Sequence, residues 1–289
     1  MQKANPKKKI FKKQSQPHPG LEFKMDPAPE FIDGSPASNK LLNKKCIVTG
    51  GDSGIGRAVA ITFAKHGADV AILYLTQEEK DAQQTALIIE DTFKRKCLLL
   101  PTDISNENKC IKAVSKIVKT FKQIDILVNN AAVHYPEDDI TKITSKRLME
   151  TFSVNIFSMF WITKAVLPFM KKGGNIINTT SVTAYRGSAE LIDYSATKGA
   201  IVSFTRSLSA NLADKQIRVN AVSPGPIWTP LVPASFPPEK VSTYGTETPM
   251  KRPGQPVEVA AAYLFLASND ASYISGQVIH VNGGEIING

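Results

Sequence analysis

Cys46-Ile-Val-Thr-Gly50-Gly-Asp-Ser-Gly54-Ile-Gly56 is the stretch whose reading decides the fold. Four apolar-leaning residues read as a short strand, and the glycines after them as a tight turn. An amphipathic helix then runs to about residue 66. Glycine permits the turn and lets the backbone approach a ligand closely, while the free N–H groups and dipole of a helix start attract an anion. The pyrophosphate of a dinucleotide suits that arrangement. The spacing is Gly-x3-Gly-x-Gly rather than the commoner Gly-x-Gly-x2-Gly, and a structural turn with no ligand carries the same local pattern.

Outward from this turn the pattern repeats. Val70-Ala-Ile-Leu-Tyr74, Cys97-Leu-Leu-Leu100, Ile124-Asp-Ile-Leu-Val128, Asn175-Ile-Ile-Asn178, 217–222 and 277–281 read as further strands. Helical patterns cover 78–94, 107–121, 145–170, the segment from Tyr194 onward, and 256–267. Apolar strands alternating with helices predict a parallel sheet covered on both faces. The fold class expected is α/β: a single-domain Rossmann fold, doubly wound, with about seven strands.

At 289 residues, 42% hydrophobic and 21% charged, the composition is that of a soluble globular chain with room for one such domain. No apolar run reads as a membrane span, and no apolar h-region follows the N-terminal lysines. Cys46, Cys97 and Cys110 are odd in number and show no CxxC spacing. A reducing, cytoplasmic setting is the expectation. No cluster with metal-ligand spacing is present, and no metal is expected.

Tyr194 and Lys198 in Asp193-Tyr-Ser-Ala-Thr-Lys198 share a helix face if the segment is helical. A cation beside a phenol favours phenolate and draws its pKa toward the working range. The same spacing is common on solvated helix faces without chemistry, so the pair needs support from elsewhere.

Thr49-Gly50-x3-Gly54-Ile55-Gly56 resembles the cofactor fingerprint of the short-chain dehydrogenase/reductase family. Other family signatures follow in order: Asp103 after the third strand, Asn129-Asn-Ala-Ala132 after the fourth, Asn155, Ser181, Tyr194 with Lys198, Pro224-Gly-Pro-Ile-Trp-Thr229, and the last strand before Gly284. Ala132 departs from the family's glycine by one methyl group. The resemblance implies a catalytic set of Asn155, Ser181, Tyr194 and Lys198. It also implies NAD or NADP held by Gly50, Asp52, Ser53, Gly54, Ile55, Gly56, Tyr74, Asp103, Ile104, Asn130, Ala131, Tyr194, Lys198, Pro224, Gly225, Ile227 and Thr229. Ser181 would orient a carbonyl oxygen, Tyr194 would pass the proton, Lys198 would lower the tyrosine's pKa, and Asn155 would hold a water. No Asp directly follows the second strand, and Ser53 is not basic, so neither cofactor is selected.

Residues 1–43 form a basic, proline-containing arm before a catalytic domain at 44–289, with a substrate lid at about 228–252. Through Lys40 the arm holds eight lysines against four acids, +4 of the chain's +9. Lys3, Lys7, Lys8, Lys9, Lys12 and Lys13 read as a solvated run, or as a contact for nucleic acid or membrane. Leu21, Phe23, Phe31 and Ile32 suggest a segment lying on a neighbouring surface, another subunit included. His134, Tyr135, Thr183, Tyr185 and Arg186 are expected to flank the pocket, with His134 as wall rather than base. The implied substrate is a small aldehyde, ketone or sugar carbonyl. The alternative is a 3-oxoacyl-carrier-protein reductase using Lys171, Lys172 and Arg186 on the carrier, and a nucleotide-sensing binding protein is a remote one. The partners expected are a small-molecule substrate and three further copies in a homotetramer, with neither nucleic acid nor membrane.

Overall fold

Seven short apolar runs pair in parallel, because each has both faces covered. The computed structural model describes residues 8–287, so Lys3 and Lys7 lie outside the described residues. The strands are β1 (Lys45–Thr49), β2 (Asp69–Tyr74), β3 (Cys97–Pro101), β4 (Ile124–Asn129), β5 (Met170–Thr179), β6 (Arg218–Pro224) and β7 (Val278–Val281). They form one sheet in the order β3-β2-β1-β4-β5-β6-β7, as the sequence predicts for a doubly wound fold. The helices are α1 (Gly54–Lys65), α2 (Glu79–Leu87), α3 (Glu107–Phe121), α4 (Ser145–Phe152), α5 (Ser158–Val166), α6 (Thr183–Arg186), α7 (Ile192–Leu212), α8 (Leu231–Ser235), α9 (Pro238–Ser242) and α10 (Pro256–Ala267).

Side chains alternate along each strand, so each strand feeds two cores. Val48, Ile72 and Val128 pack with Val59 and Phe63 of α1 and Leu266 of α10. Ile47, Leu73 and Leu127 pack on the other face with Ile117 of α3, Ile162 of α5 and Leu212 of α7. Each such side chain contributes about 1.5–3 kcal/mol when fully removed from water. The strand order reverses between β1 and β4, and a crevice opens there beyond the strands' C-terminal ends.

Several expected boundaries shift. The helix expected over 145–170 is α4, a π-turn at Ser153–Phe157, α5, and a 3₁₀ turn at Leu167–Phe169 containing Pro168. β5 begins at Met170, well before the predicted Asn175. Its pairing slips between Ile124↔Met170 and Ile126↔Asn175, and the irregularity absorbs Lys171–Gly174. The stretch Ser145–Phe169 is long and apolar enough to cross a membrane by length and composition, contrary to the expectation that no such run exists. Here it packs on α3, β4 and α7 as a domain helix.

The arm lies on its own domain. Phe11 stacks on Trp228 at 3.8 Å, and the Val257 N–H donates to Glu30 O at 3.0 Å. Lys8 and Lys9 are exposed, as a solvated run should be. The expected lid contains α8 and α9, with Trp228 fully buried beneath the arm.

Candidate active site

The crevice between β1 and β4 is a cleft of about 580 Å³ whose walls include the glycine turn, the ends of β2 through β6, the start of α7 and the lid. Ser53 is extended, and α1 starts at Gly54, whose φ of +51° is left-handed. Gly56 lies behind the cleft wall rather than in it. A Cβ there would sit 1.8 Å from Gly50 O, so this glycine lets helix and turn pack against each other. Thr49 Oγ1 accepts the N–H groups of Asn130 (2.9 Å) and Ala131 (3.0 Å), lacing the ends of β1 and β4 into one floor. Of the residues expected to hold a cofactor, all but Gly56 line this cleft.

Two carboxyl groups gather at the β2 end. Asp52 is buried, and its Oδ2 has no hydrogen-bond partner. Glu78, which the sequence reading passed over, returns toward the strand through a 3₁₀ turn at Thr76–Glu78 and accepts the Leu75 N–H at 2.9 Å. Burial pushes Asp52 up to about 6 and Glu78 up to about 8, and the neighbouring Asp81 carboxylate raises both further. Asp103 accepts the side chain and N–H of Ser105, which with Lys109 outweigh its burial and hold it below the usual carboxylate range.

At the other end, Ser181 follows β5, while Tyr194 and Lys198 occupy the first two turns of α7. Ser181 Oγ accepts from Thr183 N (3.2 Å) and Thr183 Oγ1 (3.1 Å). Burial pushes the Tyr194 phenol up to about 12, with the Ser181 hydroxyl acting in the opposite sense. Lys198 Nζ donates to Thr179 O at 2.8 Å and stands 5.3 Å from the Tyr194 ring centre. Burial brings this lysine down to about 7. The expected lowering of Tyr194 by Lys198 is therefore not the ruling effect here: removal from water dominates both groups.

Asn155 stands apart from the other three. It is wholly buried and outside the cleft. Its Oδ1 accepts Val133 N–H at 2.9 Å, and its Nδ2 donates to Val133 O (2.9 Å) and Thr197 Oγ1 (3.2 Å). Thr197 in turn donates to Tyr194 O at 2.7 Å. The Asn155 side chain thus clamps the first turn of α7 to the β4 loop.

Of the expected flanking residues, His134 and Tyr135 line the cleft, whereas Thr183, Tyr185 and Arg186 do not. Thr183 holds Ser181, Tyr185 packs on His280 with ring centres 4.8 Å apart, and Arg186 pairs with Glu285 at 2.7 Å. His134 is wall, as expected. Burial lowers it to about 3 against an opposing pull from the Leu231 backbone, its ring lies 5.1 Å from that of Tyr194, and neither ring nitrogen makes a hydrogen bond of good geometry. The sequence reading missed His18, Pro19 and Gly20 of the arm, together with Tyr244 of the lid.

Comparison with known proteins agrees with this geometry. A family model described as enoyl-(acyl carrier protein) reductase matches residues 50–285. The chain belongs to the short-chain dehydrogenase/reductase family. It is 57% identical over 287 residues to the uncharacterised oxidoreductase YhxC of Bacillus subtilis, covering 99% of this chain and 100% of that one. It is 50% identical over 283 residues to the chloroplastic NADPH-dependent aldehyde reductase 1 of Arabidopsis thaliana, covering 96% and 98%. A short-chain dehydrogenase from Burkholderia cenocepacia, solved with NADP, superposes with a TM-score of 0.79 at 29% identity, over 85% of this chain and 98% of that one. As a short-chain dehydrogenase/reductase, this chain is an NAD(P)-dependent oxidoreductase.

Proposed function

We propose that this short-chain dehydrogenase/reductase reduces small hydroxylated carbonyl compounds, such as hydroxyaldehydes or open-chain sugars, with Tyr194 as proton donor. The observation that carries the substrate class is His134. A buried polar group without a partner is costly, on the order of 1–3 kcal/mol, and calls for a ligand that supplies the missing bond. A neutral imidazole beside Tyr194 offers one donor and one acceptor, which suits a substrate hydroxyl. His134→Phe should therefore cut kcat/KM for glyceraldehyde at least tenfold more than for propanal, in line with the cost of losing a hydrogen bond to a substrate hydroxyl. Equal losses for the two aldehydes would remove the hydroxylated class. The name of the chloroplastic relative supports aldehyde reduction.

The unpartnered Asp52 oxygen and the glycine turn fit the ribose and pyrophosphate of a nicotinamide cofactor, which when bound supplies the hydride. Ser181 donates its proton to the carbonyl oxygen. Tyr194, still protonated at neutral pH, gives its proton to the more basic alkoxide that develops there. Lys198 has two donors beyond its bond to Thr179 for the cofactor ribose and the phenol.

Asp52 and Glu78 also set a pH dependence. Arg57 and Asp81 face Asp52 as well, and Arg57 is already paired with carboxylates. As pH rises from 6 to 9, Asp52 and then Glu78 ionise and negative charge accumulates where an adenosine 2′-phosphate would lie. The ratio of the NADPH to the NADH dissociation constant should climb several-fold over that range by nicotinamide fluorescence. A flat ratio would remove these acids from the ribose site.

For the carrier-protein reading, Arg186 pairs with Glu285 and the two lysines stand away from the cleft. Lys171 and Lys172 are exposed at the start of β5, whereas the cleft lies at its far end. We also infer a homotetramer built on α5 and α7. Phe160 is 51% exposed and packs on Phe204 over a groove that includes Ile156 and Ala200. Light scattering should give the mass of four chains, and the mass of one chain would refute it. The three cysteines are buried and unpaired, which supports a reducing, cytoplasmic setting.

A further inference from the structure

The arm enters the site that the domain alone would leave open. His18, Pro19 and Gly20 line the same cleft as Ser181 and Tyr194. The His18 ring stands 4.8 Å from that of Tyr135, and its Nε2 is 3.3 Å from Ser235 Oγ on α8. Ser235 Oγ also reaches His134 O at 3.3 Å, so the arm, the lid and the β4 loop meet at one point of the wall.

The arm is held on both sides of that point. Toward the lid, the N–H groups of Ile10 (2.9 Å) and Phe11 (3.2 Å) donate to Ser242 O, that of Gln16 donates to Pro233 O (2.8 Å), and Trp228 Nε1 donates to Pro27 O (2.9 Å). Met25 is buried with Leu191, Trp228, Val232 and Phe236. The backbones are so close that a Cβ on Gly20 would fall 2.1 Å from Pro230 O. Toward the cofactor helix, the buried Glu22 accepts the Gly54 N–H at 2.5 Å and pairs with Arg57. The N–H groups of Glu22 (2.9 Å) and Phe23 (3.1 Å) donate to the Asp81 carboxylate. Burial outweighs Arg57 and raises Glu22 to about 7.

We propose that the N-terminal arm is a fixed wall of the substrate pocket, and that His18 limits the size of the carbonyl compound admitted beside Tyr194. This rests on the reading of the chain as a carbonyl reductase. Burial lowers the His18 pKa below its ordinary value, so at neutral pH the ring selects by shape and not by charge. A rigid wall of this kind differs from a lid that closes over any substrate, because its volume is set before the substrate arrives.

The test compares propanal, benzaldehyde and 2-naphthaldehyde in the full chain, with NADH and NADPH each at saturation. His18→Ala should raise kcat/KM for 2-naphthaldehyde relative to propanal at least tenfold. His18→Trp should lower it for benzaldehyde relative to propanal by a similar factor. Cofactor dissociation constants from nicotinamide fluorescence should stay within about twofold of the parent in both variants, which separates a pocket effect from misfolding. Substrate ratios within twofold of the parent in both variants overturn the proposal. A parent chain that binds cofactor yet reduces none of the three aldehydes overturns this wall's role, and one that also fails to reduce glyceraldehyde overturns the functional reading with it.

Discussion

Tyr194→Phe should abolish turnover, with kcat falling by about 10²–10⁴-fold, the range that a positioned general acid contributes. Cofactor affinity should change little, because the ring that packs beside His134 is retained and only the hydroxyl is lost. The split between kcat and binding is what identifies a proton donor; a residue with a purely structural task would lower both together. Asn155→Ala is the contrast. It removes the clamp on Val133 and Thr197, so it should lower thermal stability as well as rate. A Tyr194→Phe chain that keeps most of its rate would end the assignment.

Arg57→Ala should be the most destabilising single change in the arm–domain contact. Arg57 is almost fully buried and pairs with Glu22 and with Asp81 Oδ1 at 3.2 Å. It also donates to Asp52 O (2.7 Å), Thr85 Oγ1 (2.9 Å) and Asp81 O (2.9 Å). Removing it leaves two buried carboxyl groups facing each other without a cation. Breaking a buried pair from one side costs about 3–5 kcal/mol. The urea midpoint should fall accordingly, and proteolysis should begin in residues 8–32, because Glu22 is the bolt that holds that segment to α1. Arg57→Lys should recover only part of the loss, since an ammonium lacks the planar fork that reaches Glu22 and Asp81 together. A midpoint within about 1 kcal/mol of the parent would show that the network is not what fastens the arm.

The sheet was legible because its strands are near-continuous apolar runs with turns between them, and α10 was read at its observed ends. Tyr194 and Lys198 were legible because spacing on one helix decides their shared face, and Ser181 through the family resemblance. What escaped the sequence depends on geometry that periodicity does not record. The π-turn around Asn155 breaks a helix whose pattern reads as unbroken, and it turns that side chain inward. Tyr185 and Arg186 lie close to Ser181 in sequence, but α6 carries them toward His280 and Glu285 instead. Glu78 was overlooked because an acid was sought directly after β2, whereas a 3₁₀ turn brings it back from four residues beyond the strand. The arm was hardest to read. Gln16-Pro-His-Pro-Gly20 has neither helical nor strand period, and its place is set by single contacts with Trp228, Pro230 and Arg57, residues far away in sequence.

The most direct test of the account is the rate of NADH and NADPH oxidation by the full chain, followed at the nicotinamide absorbance. The panel is glyceraldehyde, propanal, dihydroxyacetone, glucose and an acetoacetyl thioester. Glyceraldehyde should give the highest kcat/KM, and Tyr194→Phe should remove that signal while cofactor still binds. A chain that binds cofactor but reduces only the thioester, or nothing, would contradict it.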